Sequence, residues 1–318
     1  MREVFLKRTL PEGVTKKIFH EVRHSEDLGL KNPCQLRLFY LDITNTKFSY
    51  TSLKDFLIDC VGYYVFDRAE IKKLEDEGHI HSIGWRAIRK MLQNGAVDQQ
   101  GTGNELSVIL LYAFLEDVLG APKLFSKIEL SAIDKIHSDG VHLLPMPDDD
   151  DYYQMVFGTS NIVGDLGDAV DKAFTALSKI VNEEENEARL VSTSFLKQRF
   201  DDKKTEDYFM SILQPSEERV SRPETAFGIF LGYSIDLQKD KYTNREYPGI
   251  VAQKIEMDIR SVVDDIKQKI NELGMNSYSF YIYGSQKCHE LFYGGQSAKG
   301  TCFFTSPCGC RSLYSGRL

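Results

Sequence analysis

Long apolar runs are missing from this sequence: nowhere do roughly 18 apolar residues follow one another, the length needed to span a bilayer. The first residues, Met1-Arg-Glu-Val-Phe-Leu-Lys-Arg8, lack the apolar stretch of a secretory leader. A cytoplasmic protein is therefore expected. Positive charge is also short, since 39 Lys and Arg face 47 Asp and Glu and leave a net charge of -8. A phosphate backbone would repel such a protein as a whole, so any contact with nucleic acid must be local or shared with a partner. Cysteines do not form the evenly spread framework of a secreted disulfide scaffold: of six, four crowd at Cys288, Cys302, Cys308 and Cys310. Cys34 and Cys60 read as buried thiols. No internal repeat is visible.

What is there suffices for a large core. The chain has 318 residues, 42% hydrophobic and 27% charged, an ordinary globular mixture. In residues 1–100, Gln35 to Ile43 reads as a strand, Ser52 to Phe66 as a helix with Leu53, Phe56, Leu57, Cys60 and Val61 on one side, and Ile83 to Leu92 as a further helix after a charged helical stretch. The turn-rich Asn94 to Gly101 marks a boundary. A core is expected over residues 101–283, and a Gly-, Ser- and Cys-rich tail, loop-rich or poorly ordered, over 284–318.

Within that core, Thr102-Gly-Asn-Glu105 has capping-box spacing and opens a helix through Leu106, Ile109, Leu110, Ala113 and Phe114, closed by Gly120 and Pro122. Lys123 to Ser131 alternates, with Phe125, Lys127 and Glu129 on one face, and predicts a strand. Gly140 to Leu144 and Tyr152 to Ser160 predict two more, completing an antiparallel meander. Asp165 should cap a helix whose apolar stripe runs from Leu166 to Val181. After a polar helical stretch to Gln214 come a strand at Ala226 to Ile235, a long helix at Ile250 to Leu273 and a strand at Tyr278 to Tyr283. The fold class is α+β, with an αβββαβ core like that of restriction endonucleases, an N-terminal α/β extension and a C-terminal helix and strand completing the sheet.

That order is the topology of the PD-(D/E)xK nucleases, which place an acidic residue in the first helix, an aspartate at the second strand and Glu-x-Lys at the end of the third. Oxygen ligands suit a hard Mg²⁺ ion, which polarises the phosphate and acidifies water, and the lysine orients that water and offsets negative charge. Glu105 stands in the first helix and Asp139 at the mouth of the second strand. Thr159 and Asn161 stand where glutamate and lysine belong; Thr159 is at best a weak neutral ligand, and Asn161 has neither charge nor basicity. Lys127 and Glu129, sharing a strand face, could be a migrated lysine and carboxylate, which makes Asp139, Glu105 and Glu129 the candidate Mg²⁺ ligands. Plainer readings exist: Glu105 as a helix cap, Asp139 in an Asp-Gly turn, and Lys127 with Glu129 as a solvated face or an ion pair seating the first helix.

Taken together, Gly103-Asn-Glu-Leu106, Leu110-Leu-Tyr-Ala-Phe-Leu-Glu116, Ser126-Lys-Ile-Glu-Leu130, Asp139-Gly-Val-His142, Phe157-Gly-Thr-Ser-Asn161, Gly164-Asp-Leu166 and Phe227-Gly-Ile-Phe-Leu-Gly-Tyr-Ser-Ile-Asp236 resemble the HamA nuclease family of the Hachiman anti-phage defence system. The resemblance covers most of the chain. It implies a metal-dependent PD-(D/E)xK effector that works with a superfamily 2 helicase, HamB, and degrades DNA. Two features depart from that pattern. Gly158-Thr-Ser-Asn161 replaces the usual Gly-Glu-Ser-Lys, and the Cys- and Gly-rich tail replaces a charged helical end. The alternative is a pseudonuclease that senses DNA or regulates the helicase.

Other groups read more plainly. His142 is expected to be a core histidine, and the acidic run Asp148 to Asp151 a solvated hairpin loop. A third class, a zinc-binding interaction protein, would use Cys288, His289, Cys302, Cys308 and Cys310, but they lack paired Cys-x-x-Cys spacing, which argues against zinc. Arg86, Arg89, Lys90, Lys197, Arg199, Lys203 and Lys204 are candidate phosphate contacts on faces that are usually only solvated.

Overall fold

The computed structural model describes residues 6–93, 104–131, 136–146, 152–162, 164–195, 203–213 and 223–286. Strands β1 (Phe19–Val22) and β2 (Cys34–Leu41) are followed by a small ladder of β3 (Ile43–Thr44) and β4 (Lys47–Phe48). Three helices come next: α1 (Tyr50–Val65), α2 (Arg68–Asp76), closed at its start by a reciprocal Asp67 and Glu70 capping box, and α3 (Ile83–Gln93). Helix α4 (Asn104–Ala113) runs into a π-helical turn, Phe114–Leu119, and stops at Gly120, whose φ of 80° suits a residue without Cβ.

The meander then appears as β5 (Lys123–Ser126), a short helix α5 (Lys127–Ser131), β6 (Gly140–Pro145) and β7 (Tyr153–Asn161). After it come α6 (Leu166–Asn182), α7 (Glu184–Phe195), α8 (Lys203–Leu213), β8 (Glu224–Tyr233), α9 (Tyr247–Glu272) and β9 (Ser279–Gln286). Asp165 caps α6 in a reciprocal box with Asp168, as its spacing predicts. The expected α+β class holds.

Among the described residues seven strands form one mixed sheet in the order β1-β2-β9-β8-β7-β6-β5. β5, β6 and β7 pair antiparallel, while β7-β8, β8-β9 and β9-β2 are parallel. β9 therefore sits inside the sheet and joins the N-terminal strands to the meander. Parallel interior strands are covered on both sides, which is why Phe227 to Leu231 and Phe280 to Tyr283 are continuous apolar runs. One face carries α1, α3 and α4, with Phe114, Phe230 and Tyr283 at its centre; the other carries α6, α7 and α9 over Phe157, Ile229 and Ile282.

One expectation fails here. Lys123 to Ser131 is not a single strand, because the chain leaves the sheet at Ser126. The Ser126 hydroxyl accepts from the Glu129 amide at 3.3 Å and the Glu129 carboxylate accepts from the Ser126 amide at 2.6 Å. This is a capping box, and it starts α5. Lys127 and Glu129 consequently do not share a strand face. Thr102, Gly103, Asp148 to Asp151, Lys197, Arg199 and the cysteines from Cys288 onward lie outside the described residues.

Candidate functional site around Asp139

Asp139 sits one residue before β6. Its amide donates to Gly158 O at 2.7 Å, and carrying the Gly140-Gly158 register back by one residue sets Asp139 across from Thr159. The pleat turns Ser160 toward α4, where its hydroxyl meets that of Ser107 at 2.9 Å, and puts Thr159 and Asn161 on the opposite face with Phe157. Thr159 and Asn161 are both buried, and the place beside Asp139 where a second strand carboxylate would stand holds a neutral hydroxyl.

Both oxygens of the Asp139 carboxylate are engaged. Oδ1 accepts from Lys127 Nζ at 2.8 Å, and Oδ2 accepts from the Ser160 amide and hydroxyl, each at 2.8 Å. Lys127 thus reaches Asp139 from the first position of α5, with 44% of its side chain still exposed against 11% for Asp139. The Asp139 charge is the main reason the Lys127 ammonium holds its proton above the ordinary lysine range, with Glu187 adding to it.

Glu129 has gone elsewhere. Its Oε2 lies 3.2 Å from Lys123 Nζ and accepts from the Ser126 amide. Lys123 is buried and spends the rest of its ammonium on the carbonyls of Tyr63, Tyr64 and Phe66, each at 2.9 Å, where α1 ends. This pair holds the end of α1, so the ion pair that Glu129 makes is with Lys123 and not with Lys127. Glu105 is half-buried in the first turn of α4, two residues before Ser107.

The carboxylate that does approach the site is Glu187 of α7, which no sequence motif singled out. It is 2% exposed, its Oε1 accepts from the His137 amide at 2.7 Å, and burial raises its carboxyl above the ordinary range against the pull of His137 and Ser138. The available signal was a glutamate at a core position of an amphipathic helix, four residues before buried Val191.

The residues do not fit the Mg²⁺ centre that the sequence resemblance implies. Asp139 already carries an ammonium, Glu129 is turned to Lys123, Thr159 is neutral, and among the described residues no three acidic, histidine or cysteine side chains gather to hold a metal ion. His142 is a core group: Nδ1 lies 2.8 Å from Ala121 O and burial drops its pKa to about 3. Of the basic candidates, Arg86 and Arg89 are exposed on α3, Lys90 pairs with Glu70 and stands over the Phe66 ring, and Lys203 and Lys204 are exposed on α8.

Set against known families, residues 16–287 match the HamA family model. The chain belongs to the HamA family. That membership makes it a Hachiman-type antiviral defence protein. No curated protein and no solved structure matches the chain. No helix among the described residues of this HamA family member is long and apolar enough to cross a membrane.

Proposed function

We propose that the chain is a non-cleaving, DNA-engaging subunit of its Hachiman system, working with a superfamily 2 helicase. One observation carries this reading: the Asp139 carboxylate is held by Lys127 and Ser160 across from a neutral Thr159. An acidic group so engaged, without a neighbouring strand carboxylate, lacks the ligand set for hydrolysing a phosphodiester through a bound metal ion. What the site offers a DNA strand is the half-exposed Lys127 ammonium, positioned by Asp139, as a phosphate contact. The net charge of -8 makes a partner necessary for bringing DNA to it.

The test is a cleavage and binding assay on the chain co-purified with its helicase, with and without Mg²⁺. The expected result is no cutting, together with DNA binding that Lys127→Ala weakens. A second reading, a nuclease in which Lys127 serves as the site lysine, is favoured by its 2.8 Å contact with Asp139. Metal-dependent cutting abolished by both Asp139→Ala and Lys127→Ala would establish that reading and overturn the first.

A further inference from the structure

We propose that the exposed face of α3 is a stacking platform for single-stranded DNA, on which Trp85 takes a base while Arg86 and Arg89 take the phosphates beside it. The proposal goes beyond the Lys127 contact and rests on the same reading of the chain as a DNA-engaging subunit.

Exposure and charge both set this face apart. Trp85 is 71% exposed, the most open of the large apolar side chains among the described residues, although a tryptophan has much apolar surface to gain from burial. Arg86 and Arg89 are exposed with it, and the three fall within about 100° of arc around the helix, opposite buried Ile83, Ala87, Ile88 and Met91. In a chain with more acidic than basic residues, α3 carries Arg86, Arg89 and Lys90 and no carboxylate. Lys90 is paired with Glu70, but among the described residues neither arginine has an acidic partner, the exposed Asp55 and Asp59 of α1 included. Arg86 Nε donates to the Ser82 hydroxyl at 2.9 Å, which steadies the guanidinium and leaves its outer N–H groups for another acceptor.

An open indole flanked by guanidinium groups suits a single strand, whose bases offer free faces to a ring and whose phosphates attract the arginines; a duplex keeps those faces in its own stack. The local positive charge complements a phosphate backbone that the net charge of -8 would repel. The direction of α3 fits as well. Gly84 lies against Ile58, and farther on Lys90 Nζ stands 4.8 Å from the centre of the Phe66 ring, so α3 runs beside α1 in the same sense. At that end of α1 the Tyr64 hydroxyl donates to Asp139 O at 3.3 Å. A strand stacked on Trp85 and held by Arg89 is thus led toward the end of α1 that meets the Asp139 site.

The experiment is a fluorescence titration of the full chain with a single-stranded oligothymidylate at low salt. Trp85 is the only tryptophan in the sequence, so its emission reports on this face alone. Emission should fall as the strand is added and stay unchanged with a duplex of equal length. With a labelled strand and anisotropy as the readout, Trp85→Ala should weaken binding about 5- to 100-fold and Trp85→Phe, which keeps a ring, less. Arg86→Gln and Arg89→Gln should each lower the slope of log affinity against log salt by about 0.7. Binding that Lys127→Ala weakens but Trp85→Ala does not, with Trp85 emission unchanged, would overturn the inference and leave the proposed function standing. A change in Trp85 emission caused by the helicase and not by the strand would overturn it in favour of a protein interface. Failure of the chain to bind any DNA, alone or with its helicase, would remove the proposed function and this inference together.

Discussion

Lys123 and Glu129 form a buried ion pair, Nζ to Oε2 at 3.2 Å with side chains 1% and 13% exposed, at the point where β5 turns into α5 beneath the end of α1. The ammonium lies in an environment that lowers its proton affinity through burial, and the Glu129 charge works against that loss. Breaking such a pair leaves one charge without compensation, which typically costs about 3–5 kcal/mol. Lys123→Met also removes the donor to the Tyr63, Tyr64 and Phe66 carbonyls. Its denaturant midpoint should fall steeply. A loss under about 1 kcal/mol would mean that Lys123 does not hold the end of α1.

Asp139 and Lys127 should behave differently despite a shorter contact. Because 44% of the Lys127 side chain is exposed, water replaces much of what the pair provides, and Asp139→Asn should cost only about 1 kcal/mol. Comparing Asp139→Asn with Lys123→Met in one denaturation series checks the order. A functional loss in the first without matching instability would separate the two lysines by role.

A pH dependence follows from His142. Its folded pKa, about 3, lies below the ordinary 6.5, so the unfolded chain binds the proton first. Stability from keeping this histidine neutral is therefore complete above about pH 6.5 and is lost as pH falls toward 3, with a slope of at most about 1.4 kcal/mol per pH unit. Denaturation between pH 4 and pH 7 should show this slope on the lower side, and replacing His142 with an uncharged residue should reduce it.

Glu187 runs the opposite way. Its folded pKa is raised above the ordinary 4.5, so as pH rises the unfolded chain gives up the proton first and the folded state loses ground. Glu187→Gln keeps an acceptor for the His137 amide without the buried charge, so its stability relative to wild type should increase with pH above about 4.5. A relative stability independent of pH would show that Glu187 is not perturbed by burial.

Gly158 permits the close approach of α4 to β7. A Cβ there would stand 2.7 Å from Leu111 Cδ2 and 3.3 Å from Gly140 O. Gly158→Ala should destabilise by about 1–3 kcal/mol through overpacking. Because it shifts α4 against the strand carrying Ser160, it should also loosen Ser160, which meets Ser107 through its hydroxyl and Asp139 through its amide, and faster exchange of the Ser160 amide would report this.

Much of this was legible in the residues because it depends on local pattern. The Asp165 cap, the apolar stripe of α6, the strand at β8 and the positions of Asp139, Thr159 and Asn161 follow from spacing of 3.6 or 2 and from turn chemistry. The stretch after Lys123 was read by its alternation, yet Ser126-Lys-Ile-Glu129 also carries the spacing of a capping box. The box prevails because α5 buries Leu130 while Glu129 reaches Lys123.

Sequence alone determined most of the helix and strand order, the family and the presence of Thr159 and Asn161 where the resemblance expects glutamate and lysine, since each is a property of residues near one another along the chain. Only the tertiary structure decided which charges meet. It brought Lys127 to Asp139 across 12 positions, sent Glu129 to Lys123, and carried Glu187 across 50 positions to the His137 amide. Side-chain charges pair according to proximity and desolvation after the sheet has formed, and neither quantity is written in local periodicity.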